Sequence, residues 1–237
     1  FKIYTEKVSG EGEDAIPLIT NCSEGKLIGA VFDGLGGSGG SKITSSGGTT
    51  KTQAYFASRI VRDFFSDVCE SNASDTFFVK NVLQTKLSHY MKTASSDFTF
   101  PDTQIITKRA SQLPTTLAGF YLDIVNSKSP KATIFWAGDS RCYSLDQAKG
   151  LLPVTKDDQQ YEADEFESLK TDSPMSNCIS ANGNFIINVN KFKLLSKTNI
   201  LIAATDGCFG YFQTPMHFEL MLLQTLSESS SLSLWQS

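Results

Sequence analysis

The stretch Ala30-Val-Phe-Asp-Gly-Leu-Gly-Gly-Ser-Gly-Gly40 decides how the chain is read. Residues 28–32 form a short apolar run with β-branched members, bounded by glycine, and this predicts a buried strand. The strand delivers the carboxylate of Asp33 at its end and then runs into Gly34, Gly36, Gly37, Gly39 and Gly40. Glycine lets backbone approach a ligand closely. A rigidly held Asp followed by the bare carbonyl of Gly34 suits a hard divalent cation, which takes carboxylate and carbonyl oxygen. A solvent-exposed Asp-Gly turn uses the same two residues, so this stretch alone does not choose between them.

Two further stretches do choose. Residues 131–136 are a second apolar strand, ending in Ala137-Gly-Asp-Ser-Arg-Cys-Tyr143. Residues 200–204 are a third, ending in Thr205-Asp-Gly207. Three apolar strands thus each finish in an Asp beside a Gly. To these are added Glu13-Asp14-Ala15 and Thr115-Thr116-Leu117. The ordered set of Glu13-Asp14-Ala15, residues 31–37, Thr115-Thr116-Leu117, Gly138-Asp-Ser-Arg141 with Tyr143, and Thr205-Asp-Gly207 spans about 13 to 210. In that order it resembles the metal-dependent protein Ser/Thr phosphatase family, type 2C, in its bacterial style.

The resemblance implies an α+β fold with two antiparallel sheets packed face to face and helices on both outer faces, a four-layer αββα sandwich. It implies that residues 1–237 form a single type 2C phosphatase-like catalytic domain. The activity it implies is hydrolysis of phosphoserine and phosphothreonine in protein substrates by a metal-activated water. Two ions, Mn²⁺ or Mg²⁺, are expected, because paired cations neutralise a phosphate and activate the attacking water. The catalytic residues are then Asp33 and Asp206, and the metal set is Glu13, Asp14, Asp33, Gly34, Asp139 and Asp206. Asp33 would be shared between the ions, Gly34 would lend its carbonyl, and Asp206 would hold the second ion. Glu13 and Asp14 would act directly or through waters. Asp139 either serves an additional ion or, as the preferred reading, pairs with Arg141 to hold the turn. Phosphorylated proteins and a cognate Ser/Thr kinase system are the implied partners.

Three departures stand against the family pattern. The arginine that grips substrate phosphate has no counterpart near Ser9, where Lys7 is the closest basic residue. Pro114 replaces the glycine usual before Thr115-Thr116. No Asp follows Asp206, so the chain is expected to lack its C-terminal metal-ligand strand. The first and last of these favour a rival reading, a pseudophosphatase acting as a binding or regulatory module.

Composition sets the frame. With 237 residues, 40% hydrophobic and 19% charged, the chain can bury a sizeable core. A net charge of −4 with scattered Lys and Arg gives no electrostatic basis for nucleic acid or an anionic membrane. No apolar run approaches the ~20 residues that span a bilayer, and no basic-then-apolar leader is visible. The five cysteines, Cys22, Cys69, Cys142, Cys178 and Cys208, are widely spaced and odd in number. That pattern argues against a zinc site and a disulfide framework, and predicts mostly buried thiols in a cytoplasmic protein. Apolar periodicity predicts helices over 49–69, from Ser74 or Asp75 as N-cap to 94, and over 216–226. Residues 41–50 read as a flexible connection and 185–189 and 191–195 as two strand pieces. Residues 156–172 carry seven acidic side chains, read as a solvated run. His89 sits alone on its helix, without the partners catalysis requires.

Overall fold

A computed structural model describes residues 2–71, 75–100, 111–125, 130–146, 149–158, 175–194 and 200–228. The chain runs β1 (Ala15–Ser23), β2 (Lys26–Gly34), α1 (Gly36–Gly39), β3 (Lys42–Ser45), β4 (Thr50–Thr52), α2 (Gln53–Glu70) and α3 (Lys80–Ser95). It continues through β5 (Phe98–Thr99), β6 (Thr115–Asp123), β7 (Lys131–Ala137), β8 (Arg141–Asp146) and β9 (Gly150–Pro153). β10 (Asn188–Lys193), β11 (Ile200–Ala204), α4 (Asp206–Phe209) and α5 (Pro215–Glu228) follow. A five-stranded sheet has the order β1-β2-β6-β7-β10, and a three-stranded sheet the order β11-β8-β9. All paired strands are antiparallel.

Side-chain alternation sets which face each strand gives to which neighbour. On one face of the large sheet, Ile28, Ala30 and Phe32 of β2, Leu117 and Tyr121 of β6 and Phe135 of β7 pack with Ala57, Val61, Phe64, Phe65, Leu83, Leu87 and Met91 of α2 and α3. The opposite face presents Val31, Ala118, Phe120, Ala132 and Ile134 to Cys142, Leu201 and Ala203 of the small sheet. The small sheet's far face, with Tyr143, Leu145 and Ala204, is covered by Phe218 and Leu222 of α5. Central strands β2 and β6 are therefore buried on both faces, which is why they read as near-continuous apolar runs. The α+β fold expected from the sequence is the fold of this chain.

Several details differ from the sequence reading. The stretch 41–50 is not a free connection: β3 pairs with β4 and with β5 in a third small sheet. Its Gly and Ser residues make the reverse turn, with Ser45 Oγ accepting from Thr49 N–H at 3.2 Å. α2 starts where Thr52 Oγ1 accepts from Tyr55 N–H at 3.1 Å, an ordinary N-cap. α3 begins at Lys80 with no side-chain cap. Asp75 does not cap it, because its carboxylate instead takes Lys26 Nζ at 3.1 Å and Tyr121 Oη–H at 3.0 Å. Of the two expected strand pieces, the described residues 185–194 supply one strand, β10, and residue 195 lies outside the described residues. Cys22 of β1 and Cys69 of α2 form a disulfide, against the expectation from spacing. Their 47-residue separation gives no local pattern, since only the docking of α2 on the sheet brings them together. Cys142 is buried as expected, while Cys208 is exposed.

Phe65 is fully buried, stacked on Phe135 at 5.0 Å between centroids and close to Phe32 and Phe64. Truncating such a ring removes transfer free energy and leaves a cavity. Phe65→Ala is expected to cost about 3–5 kcal/mol in urea unfolding. A loss below about 1 kcal/mol would mean that α2 is not docked on this face.

Candidate metal centre

Strand register places the acidic residues at one end of the molecule. Ala15 pairs with Phe32, so Glu13-Asp14 enters beside the end of β2, where Asp33 and Gly34 stand. Asp33 and Gly34 face Thr116 and Thr115 at the start of β6, and Leu117 pairs with Ala137 at the end of β7. The Gly138-Asp139-Ser140 turn therefore follows at the same end. Ala204 of β11 pairs with Arg141 of β8, and Asp206 opens α4 just beyond.

Asp14, Asp33 and Asp206 come into hydrogen-bonding contact through their side chains, with Asp33 between the other two. Burial, followed by the charges of Asp14 and Asp206, pushes the Asp33 carboxyl far above the usual carboxylate range. Burial also raises Asp14, and Asp206 and Glu13 add to the rise, while the hydrogen bond from Gly34 N–H opposes it. Like charges packed this closely cannot all ionise. Asp139 is pushed up to about 6 by burial and then by Asp206, and its Oδ1 is buried with no hydrogen-bond partner. Asp206 itself is exposed at the rim. Glu13 lies over Gly36, so close that any Cβ there would collide with Oε2.

Backbone clamps hold these groups. Gly34 N–H donates to Asp14 Oδ1 at 3.3 Å, and Thr115 Oγ1–H donates to the Asp33 carbonyl at 2.6 Å. A Cβ on Gly34 would lie 2.5 Å from the Glu13 carbonyl oxygen and 2.6 Å from that of Ala54, so only glycine fits between them. Ser58 Oγ–H donates to the Glu13 carbonyl at 2.6 Å, and Tyr4 Oη–H to the Asp14 carbonyl at 3.1 Å. Pro114 accepts from Leu35 N–H at 3.2 Å and packs on Gly39, an arrangement compatible with a residue other than glycine before Thr115.

Two sequence readings need correction. Arg141 does not pair with Asp139. Its guanidinium takes Asp157 in a two-pronged pair, Nε to Oδ1 at 2.8 Å and Nη2 to Oδ2 at 2.6 Å, while lying over the Phe209 ring. Planar donors favour this geometry, and Asp157 rather than Asp139 takes the guanidinium. The acidic run is accordingly not all solvated: Asp157 and Asp158 are built into the fold, and its remainder from 159 to 172 lies outside the described residues.

Arg59 was missed from sequence. It stacks on Tyr55 one helical turn earlier, 3.4 Å from the ring centroid, and donates to the carbonyls of Gly12 at 3.1 Å and Glu13 at 3.4 Å. The i, i+4 spacing of Tyr55 and Arg59 was the available signal. Lys51 Nζ donates to the Gly10 carbonyl at 2.9 Å and meets Glu11 at 2.6 Å. The cations that grip the acidic loop thus come from β4 and α2, while Lys7 is exposed. His89 is exposed on α3. Among the described residues no three His, Cys, Asp or Glu side chains surround one point in ligand geometry. The carboxylates are instead engaged with one another.

Comparison with solved structures finds the same fold. The serine/threonine phosphatase Stp1 of Staphylococcus aureus has the same fold, with a TM-score of 0.64 at 14% identity over 100% of this chain and 84% of that one. PppA of Pseudomonas aeruginosa, a key regulatory component of its T6SS, gives 0.60 at 19% identity over 96% and 81%. The catalytic domain of the serine threonine protein phosphatase PstP, solved with two manganese ions, gives 0.55 at 13% identity over 96% and 83%. No curated protein matches the chain by sequence alone. No helix among the described residues is long and apolar enough to cross a membrane. The sequence profile of protein phosphatase 2C matches residues 9–233, and the chain belongs to that family.

Proposed function

We propose that residues 1–237 form one catalytic domain that is a metal-dependent protein serine/threonine phosphatase acting on phosphoserine and phosphothreonine. The observation that carries this reading is the convergence of Asp14, Asp33 and Asp206 with the unpartnered Oδ1 of Asp139 at one end of the two sheets. An all-oxygen donor set of this kind fits Mn²⁺ or Mg²⁺ and not a thiophilic ion. Glu13, Asp14, Asp33, the Gly34 carbonyl, Asp139 and Asp206 would hold two ions. When bound, such ions neutralise the phosphate charge and lower the pKa of an attacking water.

The chain's own groups do the remainder. Asp33, fixed through its carbonyl by Thr115, presents its carboxylate at the centre of the set. Ser58 and Arg59 hold the Glu13 carbonyl, so the loop carrying Glu13 and Asp14 stays against β2. Arg59 gives donors of its guanidinium to the carbonyls of Gly12, Glu13 and Tyr55. Phosphorylated proteins and their cognate kinase are the partners this reading implies.

A second reading is the same fold used as a binding module without turnover. It is favoured by the lack, among the described residues, of a ready three-carboxylate cage around one point. Metal binding without hydrolysis would select it.

Hydrolysis of p-nitrophenyl phosphate is expected with Mn²⁺ toward the millimolar end of a titration, and to be abolished by chelator. Asp33→Asn is expected to lower turnover at least about a hundredfold, equivalent to about 2.7 kcal/mol in the barrier. Its melting temperature in chelator should be unchanged or higher, because the amide replaces a carboxyl that burial and neighbours keep from ionising. Near-normal turnover of Asp33→Asn at the same Mn²⁺ would remove Asp33 from the centre.

A pH series in chelator tests the crowding directly. The raised folded-state pKa of Asp139, about 6, means that its stabilising contribution is present below about pH 4 and lost as pH rises through about 6. Wild type is therefore expected to lose stability relative to Asp139→Asn between pH 4 and 7. The change is about 1–2 kcal/mol after allowance for solvent screening. A constant gap between the two melting curves would contradict the burial of Asp139 against Asp206.

A further inference from the structure

Asp158 follows β9 and stands at the start of a stretch whose acidic residues looked solvated, yet its carboxylate meets three separate N–H donors. Gly138 N–H donates to Oδ2 at 3.1 Å and Asn177 Nδ2 to the same oxygen at 2.6 Å. Asn188 Nδ2 reaches Oδ1 at 3.0 Å and Oδ2 at 3.1 Å. The backbone of Asp158 closes the contact from the other side, its N–H donating to the Gly138 carbonyl at 3.0 Å. One residue therefore holds both backbone polar groups of Gly138.

The donors are themselves anchored. Asn177 donates to the Ile186 carbonyl at 2.8 Å and accepts from Ile186 N–H at 2.9 Å. Asn188 opens β10 opposite Trp136, whose indole N–H donates to the Lys156 carbonyl at 2.8 Å. Gly138 has a φ of +97°, and a Cβ there would meet Thr116 Cγ2 at 2.6 Å. With no side chain of its own, the turn takes its orientation from its backbone partners and from Ser140 Oγ, 2.7 Å from Thr116 Oγ1. The next residue is Asp139, with its buried, unpartnered Oδ1.

We propose that Asp158 is a positioning residue that sets the Gly138–Asp139 turn and thereby aims the Asp139 carboxylate at a divalent cation. This rests on the metal-dependent reading above. An ionised carboxylate offers acceptor sites for all three donors, whereas an amide of the same shape has one oxygen and presents N–H to a neighbour that also donates. Outer partners that orient a metal-binding carboxylate commonly change affinity by about 10–100-fold when lost. The carboxylate of Asp158 is taken up by these three donors, and the effect proposed for it passes through the turn that carries Asp139.

The test is a double-mutant cycle on Mn²⁺ binding, read by titration calorimetry on chelator-stripped wild type, Asp158→Asn, Asp139→Ala and the double variant. Asp158→Asn is expected to weaken the weakest resolved Mn²⁺ step about tenfold, the same step that Asp139→Ala weakens. The double variant should be no weaker than Asp139→Ala alone, because the two act through one carboxylate. Gly138 amide hydrogen exchange should quicken in Asp158→Asn. An unchanged Mn²⁺ step in Asp158→Asn, or full additivity with Asp139→Ala, would overturn the proposal. If Asp158→Asn does not fold by circular dichroism, Asp158→Glu displaces the acceptors while keeping the charge, with the same expectation and the same overturning results. Wild type that binds no Mn²⁺ would overturn the metal reading and this inference with it. Wild-type binding with an unaffected variant would overturn this inference alone.

Discussion

The contact on which this structure depends is the one it would be expected to avoid. Asp14, Asp33 and Asp206 arrive from three strand ends and meet through their side chains, with Asp139 near enough for the charge of Asp206 to raise its pKa. Like-charged carboxylates repel, and partial burial adds the cost of removing each charge from water. Such a cluster persists only if the surrounding fold over-determines it, and if protons or a cation take up the charge. Both conditions are visible. Burial and neighbouring charges raise the pKa of Asp33, Asp14 and Asp139, which favours their protonated forms, and the sheets leave the strand ends little freedom to part.

Over-determination comes from hydrogen bonds to the backbone of Glu13, Asp14 and Asp33. Thr115 fixes the Asp33 carbonyl, Ser58 and Arg59 fix that of Glu13, and Tyr4 that of Asp14. Glycines occupy places where chains come too close for a Cβ, among them Gly34 against Glu13 and Ala54, and Gly138 against Thr116. Behind these stands a core in which α2 and α3 press one face of the large sheet and the β8–β11 sheet presses the other. The carboxylates converge because they sit where two packed sheets end, and their placement follows from strand register more than from local loop sequence.

That origin explains what could be read from sequence. An apolar run that stops at an Asp beside a Gly marks a strand end, and three such runs put Asp33, Asp139 and Asp206 at strand ends, where the structure has them. Helical stripes located α2 and α5, because periodicity reports burial. What stayed hidden depends on long-range docking. Asp157 and Asp158 looked like part of a solvated run because their partners, Arg141, Gly138, Asn177 and Asn188, lie 16 to 30 residues away in sequence. Arg59 acts on Gly12 and Glu13 across 46 or more residues, and Cys22 finds Cys69 across 47. The β3–β4 hairpin escaped because its Gly, Ser and Thr residues carry no apolar alternation to announce pairing.

The central claim is that crowded carboxylates keep protons which a divalent cation replaces. Titration calorimetry of Mn²⁺ into chelator-stripped protein at neutral pH, repeated in buffers of different ionisation enthalpy, measures the protons released on binding. The account predicts binding with release of about one proton per chain, since the metal must displace the proton that burial and its neighbours keep on Asp33. Binding whose apparent enthalpy does not vary with buffer, or no binding at all, would contradict it.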